Sequence, residues 1–284
     1  MNASVEALAA AQNADGGWGY RGGGSWTEPT VYALLALAAQ PAFAEPRARG
    51  LRWLSGLQRA DGGWPPRAGV DASTWVTAPV LFLLARRDRS PALEAAVRWL
   101  LSTTGKESSF LYRLRQRLSS IRVAPEDPEG WPFYPDTAAW VAPTVWSILA
   151  LRRLNHPGSE SETEARIEAG RRYLLARQCQ DGGWNHGSSR ALGYEASSYP
   201  ETTGLVLLAL SGVAGPAVSK AILAAERHLA GSRSVEAWCW LTLGLRAHRR
   251  DAGGEPPASP RTVTEVALCL MAKAAQTGSH PLVG

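Results

Sequence analysis

Apolar positions along the chain fall into two kinds of run that alternate. One kind is rich in Ala, Leu and Arg and contains Arg52-Trp53-Leu54, Arg98-Trp99-Leu100, Arg172-Tyr173-Leu174 and Arg227-His228-Leu229. Its apolar residues keep to one side at helical spacing, so it predicts amphipathic helices. The other kind is apolar nearly all round. Its copies start at Trp26-Thr27-Glu28, Trp75-Val76-Thr77, Trp140-Val141-Ala142, Tyr199-Pro200-Glu201, Ser234-Val235-Glu236 and Thr262. A helix without a polar face must be enclosed by other elements. Six inner helices ringed by at least five outer ones predict an all-α fold, an α/α barrel (toroid) of about six helical hairpins, with the loop 251–260 in place of one outer helix. A closed barrel is one domain, here residues 1–284.

The turns between the two kinds of helix repeat almost verbatim. Gln12-Asn13-Ala14-Asp15-Gly16-Gly17-Trp18 returns at 58–64 and 178–184, and a degenerate copy, Glu129-Gly130-Trp131, closes the set. The glycines permit φ > 0, the Asp accepts from free amides, the Gln reaches neighbouring backbone and the Trp packs over the turn. Gln12, Gln58, Gln178, Trp18, Trp64, Trp131 and Trp184 are therefore expected to be structural staples.

Composition adds exclusions. Of 284 residues 45% are hydrophobic and 19% charged, enough for a large core and too little charge for a disordered chain. The net charge of +5 comes from 30 basic and 25 acidic residues dispersed along the chain, and the absence of a basic stripe argues against nucleic acid. Cys179, Cys239 and Cys269 are too few and too scattered for a disulfide framework, which points to a reducing, cytoplasmic setting. The five histidines show no ligand spacing and no Gly-rich phosphate loop stands out, so neither a metal nor another cofactor is expected. No leader-like segment opens the chain and no apolar run approaches the roughly 20 residues that span a bilayer. Twelve Trp against seven Tyr and four Phe is the one odd number.

The N-termini of the inner helices open onto the mouth of the barrel. Superposing the Leu-Leu-Ala cores without gaps puts Trp26, Trp75, Trp140 and Tyr199 at one level around it. Such a ring either receives a flat apolar ligand and stabilises a positive charge, worth roughly 0.5–2 kcal/mol per desolvated contact, or packs between helices and fills the mouth. Acids occupy two levels. Asp71, Asp136 and Glu195 lie four residues before the aromatic, where they face a ligand or serve the helix ends. Glu28, Glu201 and Glu236 lie two residues after it. Glu28 and Glu201 belong to repeats half-way round the ring from each other and should face across the cavity. Paired carboxylates in an apolar cavity have raised pKa values and can share a proton; first-turn acids balancing helix dipoles are the plainer explanation. Arg21, Arg67 and Arg190 recur in the loops after the turns, as solvated arginines or as a rim for an anionic head group.

The Q-x-x-D-G-G-W copies at 12–18, 58–64 and 178–184, with the T-x-x-x-L-L-A-L helices of Thr30 to Leu37 and Thr203 to Leu210, resemble the squalene-cyclase and prenyltransferase repeat superfamily. The resemblance covers most of the chain except 103–127 and the C-terminal tail. It implies a polyisoprenoid or similar apolar small molecule in the central cavity, with protonation-initiated cyclisation or isomerisation as the activity. Class II terpene cyclases carry D-x-D-D-T-A at the start of an inner helix, and its third position donates the proton. Laid on Thr203-Gly204 or Thr30-Val31, that position is Glu201 or Glu28, while the other acids are missing. Glu28 and Glu201 are therefore the candidate catalytic residues. Trp26, Trp75, Trp140, Tyr199, Asp71, Asp136, Glu195 and Glu236 are the candidate ligand-binding ones. The zinc ligands of protein prenyltransferase β subunits have no counterpart. Two other classes fit the same ring: a carbohydrate-active barrel using two carboxylates, and a non-catalytic scaffold.

In the insertion 103–127, Phe110, Leu111, Leu114, Leu118 and Ile121 share one helical face, with Lys106, Arg113 and Arg117 off it. Residues 106–122 read either as a lid on the barrel or as a peripheral membrane contact.

Overall fold

The computed structural model describes residues 4–85, 90–108, 129–154, 160–187, 190–191 and 194–283. The described helices are α1 (Val5–Ala10), α2 (Thr27–Ala36), α3 (Ala44–Gly56), α4 (Thr77–Leu84), α5 (Pro91–Ser102), α6 (Val141–Leu154), α7 (Glu160–Ala176), α8 (Pro200–Ala209), α9 (Pro216–Gly231), α10 (Val235–Ala247) and α11 (Val263–Gln276). The predicted ring closes: α2, α4, α6, α8, α10 and α11 each pack on the next, and α11 packs back on α2. Helices α1, α3, α5, α7 and α9 lie outside the ring against these inner helices. Between α10 and α11 the chain runs without a helix from Arg249 to Arg261, held by Gln276 donating to the Ala252 carbonyl at 2.8 Å. The insertion from 109 to 127 lies outside the described residues.

Each turn works as the same staple. The turn tryptophans Trp18, Trp64, Trp131 and Trp184 donate their indole N–H to Leu8, Leu54, Leu100 and Leu174 of the preceding outer helix, at 2.6–2.8 Å. Their backbone amides donate to the hydroxyls of Thr30, Thr77, Thr144 and Thr203 on the following inner helix. The amides of Gln12, Gln58 and Gln178 span from the turn to the first residues of the next outer helix, at Pro46, Ala92 and Ala217. One tryptophan thus joins outer helix, turn and inner helix, with both its indole N–H and its backbone amide paired in the core. Gly62 sits at φ 92°, and a Cβ there would lie 2.5 Å from the Ala95 carbonyl, so glycine is required twice over.

Neighbouring repeats are laced together two residues past each turn tryptophan. The carbonyls of Tyr20, Pro66, Phe133 and His186 accept from Val263, Thr27, Trp75 and Val141, at or near the start of the inner helix next round the ring. This lacing corrects one register. Trp26, Thr74 and Tyr199 all donate to the carbonyl of their turn tryptophan, and Trp140 pairs with Trp131 across the short ladder of β1 (Trp131–Pro132) and β2 (Ala139–Trp140). Thr74, not Trp75, therefore holds the position of Trp26, because the second repeat is one residue shorter between this point and its threonine. Trp75 moves one place into the helix-start turn.

The centre of the ring is filled. Tyr32, Phe82, Trp146 and Trp240, from α2, α4, α6 and α10, are buried and pack ring on ring with centroids 5.7–6.3 Å apart. Such stacked and edge-on pairs add about 0.5–1.5 kcal/mol each beyond burial. Helices α8 and α10 approach most tightly, since a Cβ on Gly204 would fall 2.4 Å from the Trp240 carbonyl.

Candidate functional site

Above the aromatic plug, at the N-terminal ends of the inner helices, three glutamates converge. Glu28, Glu201 and Glu236 sit in the first turns of α2, α8 and α10. The Tyr20 hydroxyl donates to Glu28 Oε2, and Tyr32, a member of the plug, donates to the same carboxylate. Burial pushes the Glu28 carboxyl above its ordinary value, and the two phenols pull it part of the way back. Both phenols are in turn driven upward, by burial first and then by the Glu28 charge, so they remain donors.

Glu236 is raised as well, by desolvation first, then by the charges of Glu201 and Glu28, against a hydrogen bond from Trp240 that lowers it. Glu236 is exposed and keeps its contact with water. The Gly204 contact that draws α8 onto α10 puts Glu236 in the field of Glu201. The pair expected of Glu28 and Glu201 is thus joined by Glu236, which feels the charges of both.

The aromatic residues of the rim make contacts of their own at this end of the barrel. Tyr20 packs on Trp26 at 5.7 Å and the Arg67 guanidinium lies 5.2 Å from the Trp26 ring. Trp75, Phe133 and Trp140 follow one another at 5.5 and 6.0 Å, and His186 lies 5.1 Å from Tyr199. Trp140 and Tyr199 are 40% and 48% exposed, so the rim presents ring surface to solvent. The outer acids stand apart from the cluster. Asp71 pairs with Arg59 and is 94% exposed, Asp136 occupies a left-handed turn at φ 61°, and Glu195 lies exposed on the short strand β4 (Tyr194–Glu195), which pairs with β3 (Arg190–Ala191). Glu265, which the sequence reading passed over, closes a capping box on Thr262 at the start of α11 and adds to the field on Glu236.

Tyr20, Tyr32, Phe133, Trp146 and Trp240 were missed by the sequence reading, yet each carries a signal. Tyr20, Phe133 and His186 share the second place after a turn tryptophan. Tyr32 and Trp146 lie two residues past equivalent threonines, and Trp240 holds the matching place in α10.

The family profile of the squalene-hopene cyclase C-terminal domain matches residues 29–200. The chain belongs to this family. Glu28 and Glu201 each lie one residue outside the matched segment of this squalene-hopene cyclase C-terminal domain relative. Among solved structures, the type II terpene cyclase MstE from Scytonema is 18% identical over 98% of this chain and 76% of its own, with a TM-score of 0.59. A variant of MstE in complex with its product, merosterolic acid A, is 17% identical over 96% of this chain and 95% of its own, with a TM-score of 0.59. A protein from Actinoplanes is 19% identical over 97% and 76%, with a TM-score of 0.53. At these identities the likeness is one of fold. No curated protein matches the chain. Among the described residues of this family member, no helix is long and apolar enough to cross a membrane.

Proposed function

We propose that the protein is a terpene-cyclase-type enzyme that protonates a polyisoprenoid or similar apolar substrate at the acid cluster above the aromatic plug. The observation that carries this reading is the Glu28 carboxyl, raised by burial and held by two phenols, one of which, Tyr32, packs on Trp146 and Trp240. An alkene is a very weak base, so its protonation needs an acid that keeps its proton and a site that tolerates the cation formed.

In the proposed step the Glu28 carboxyl gives its proton to an alkene carbon. The π electrons form the new C–H bond, which leaves a carbocation and a Glu28 carboxylate stabilised by Tyr20 and Tyr32. The faces of the plug and of the rim residues Trp26, Trp75, Trp140 and Tyr199 attract the cation. Attack by a second alkene closes a ring, or a shift isomerises the chain. A proton lost from carbon to Glu201 or Glu236 ends the reaction. Because the plug fills the centre, the substrate lies across the mouth and does not thread the barrel. The insertion leaves and rejoins beside this mouth, where Gly105 bonds Gly130 at 3.2 Å and Lys106 bonds Thr137 at 2.9 Å. The reading of residues 106–122 as a lid on the barrel or a peripheral membrane contact belongs to the same proposal.

A variant of MstE is in complex with geranylgeranyl dihydroxybenzoate, its substrate, in a further structure that matches this chain at a TM-score of 0.57. Geranylgeranyl compounds are therefore the first substrates to incubate with the protein, with products followed by mass spectrometry. Conversion that is lost in Glu28→Gln supports the reading, and conversion retained in that variant contradicts it.

A further inference from the structure

Two of the three cysteines meet where the ring lacks an outer helix. Cys239 of α10 and Cys269 of α11 are fully buried, and their Sγ atoms lie 3.5 Å apart across the seam between these neighbouring inner helices. Both are free thiols, as is Cys179 in the turn 178–184. A disulfide bond is about 2.0 Å long, so a closure of roughly 1.5 Å along the seam joins the pair.

The two sulfurs are not equivalent. The Cys239 thiol donates to Cys269, and this bond, with the charge of Lys273 one turn further along α11, holds the Cys269 thiol below its usual range against burial and the charges of Glu265 and Glu255. Burial pushes the Cys239 thiol well up. Cys269 is thus the member that forms a thiolate, and Cys239 is the thiol that keeps its proton beside it, as an attacking and a resolving cysteine do.

A cysteine sealed in a core is inert, so what covers the pair decides its chemistry. Cys269, Lys273 and Gln276 share one face of α11. Across this face runs the helix-free segment from Arg249 to Arg261. Lys273 pairs with Glu255 at 2.8 Å, and Gln276 Nε2 donates to the carbonyls of Ala252 and Gly254 at 2.8 and 3.1 Å. Within the segment only Ala252 and Pro260 are buried. A cover with so little buried surface opens locally far more readily than a packed outer helix.

We propose that Cys239 and Cys269 are a redox-responsive pair, which a small hydroperoxide admitted beneath the segment 249–261 converts to a disulfide tying α10 to α11. The Cys269 thiolate attacks one oxygen of hydrogen peroxide and the O–O bond breaks. The other oxygen leaves as hydroxide, takes up a proton as water, and leaves Cys269 as its sulfenic acid. The Cys239 sulfur then attacks the Cys269 sulfur and the S–O bond breaks. Hydroxide departs with the Cys239 proton as a second water, so two thiols are oxidised and one peroxide is reduced. Disulfides that form in reducing compartments are commonly transient and redox-sensing, which suits a single pair without a framework. The proposal is independent of the chemistry assigned to the acid cluster.

Treatment of the reduced full chain with hydrogen peroxide, followed by thiol titration and intact mass, tests it. Thiols should fall from three to one per chain and the mass by two hydrogens. Dithiothreitol should restore both, and peptide mapping should join Cys239 to Cys269. Cys179→Ser should still lose two thiols, whereas Cys239→Ser should stop at a Cys269 sulfenic acid that dimedone traps. Gln276→Ala frees the segment and leaves every charge in place, and should speed the loss about fivefold or more. Three thiols that persist, a disulfide through Cys179, sulfinic acid without a cross-link, or a Gln276→Ala rate equal to that of the natural chain overturns the proposal. Should a cysteine variant fail to fold, the mapped bond of the natural chain and the Gln276→Ala rate decide.

Discussion

Tyr20 donates its hydroxyl to Glu28 across the first repeat, joining the residue two places after a turn tryptophan to the first turn of the inner helix that follows. The contact ties a staple to the candidate acid, so the stability of the turn and the protonation of the site are coupled through one phenol. Tyr20→Phe removes a donor that favours the carboxylate, and the Glu28 pKa should rise further. A carboxyl-carbon NMR titration of glutamate-labelled protein reads this directly. A fall, or no change, would show that the phenol does not hold the carboxylate.

Glu28 and Glu236 should make the protein less stable as pH rises. Their carboxyls are raised in the folded state above the ordinary glutamate value of about 4.3. A group raised in this way holds more protons folded than unfolded, so stability is full below about pH 4 and falls as pH climbs through the folded pKa. Each unit of rise at Glu28 corresponds to about 1.4 kcal/mol, and the water-accessible Glu236 contributes less. Glu28→Gln should therefore raise the melting temperature at pH 8 and leave it unchanged near pH 4. The same increase at both pH values would mean that the effect is packing.

Trp240 joins the acid cluster to the plug, since its indole N–H lowers Glu236 while its ring packs on Tyr32 and Trp146. Trp240→Phe keeps an apolar ring and removes the donor. The Glu236 pKa should rise, with a stability loss of about 1–3 kcal/mol from the smaller ring in a filled core. A titration of Glu236 unmoved by this substitution would place the donor elsewhere.

The turn glycines divide by what surrounds them. Gly62 and Gly69 both have positive φ, at 92° and 80°, but only Gly62 has a backbone carbonyl 2.5 Å from where a Cβ would stand. Gly69→Ala should cost about 1 kcal/mol, the ordinary penalty for a left-handed alanine. Gly62→Ala should cost several times more or prevent folding, because α5 must move. Equal losses in chemical denaturation would argue that conformation alone sets the requirement.

The fold was legible because repetition exposes it. The Gln and Trp of each turn recur at fixed spacing, and the Leu-Leu-Ala runs are apolar on every side, so ring and staple follow from sequence. The site was legible in part. Glu28, Glu201 and Glu236 share a position whose level is set by the helix start. That Glu236 feels the charge of Glu201 depends on how tightly α8 packs on α10, which Gly204 decides through a contact with a distant helix. Trp75 was misplaced because superposing the Leu-Leu-Ala cores allows no gap, whereas the hydrogen bond of Trp64 to Thr77 shows a residue missing from the second repeat. Asp71 pairs with Arg59 and Asp136 takes a left-handed turn, placements that spacing along the chain cannot give, since it does not tell a loop that turns outward from one that turns in. The plug was hidden because Tyr32, Trp146 and Trp240 look like any buried aromatic until the ring closes around them.

Turnover in deuterium oxide tests the central claim most directly. Incubation of the protein in D₂O with geranylgeranyl dihydroxybenzoate or another geranylgeranyl compound should give a cyclised or isomerised product carrying one deuterium on carbon at the protonated position. Glu28→Gln should give no deuterated product while retaining its fold. A product formed without carbon-bound deuterium, or equal incorporation by Glu28→Gln, would contradict protonation by the Glu28 cluster.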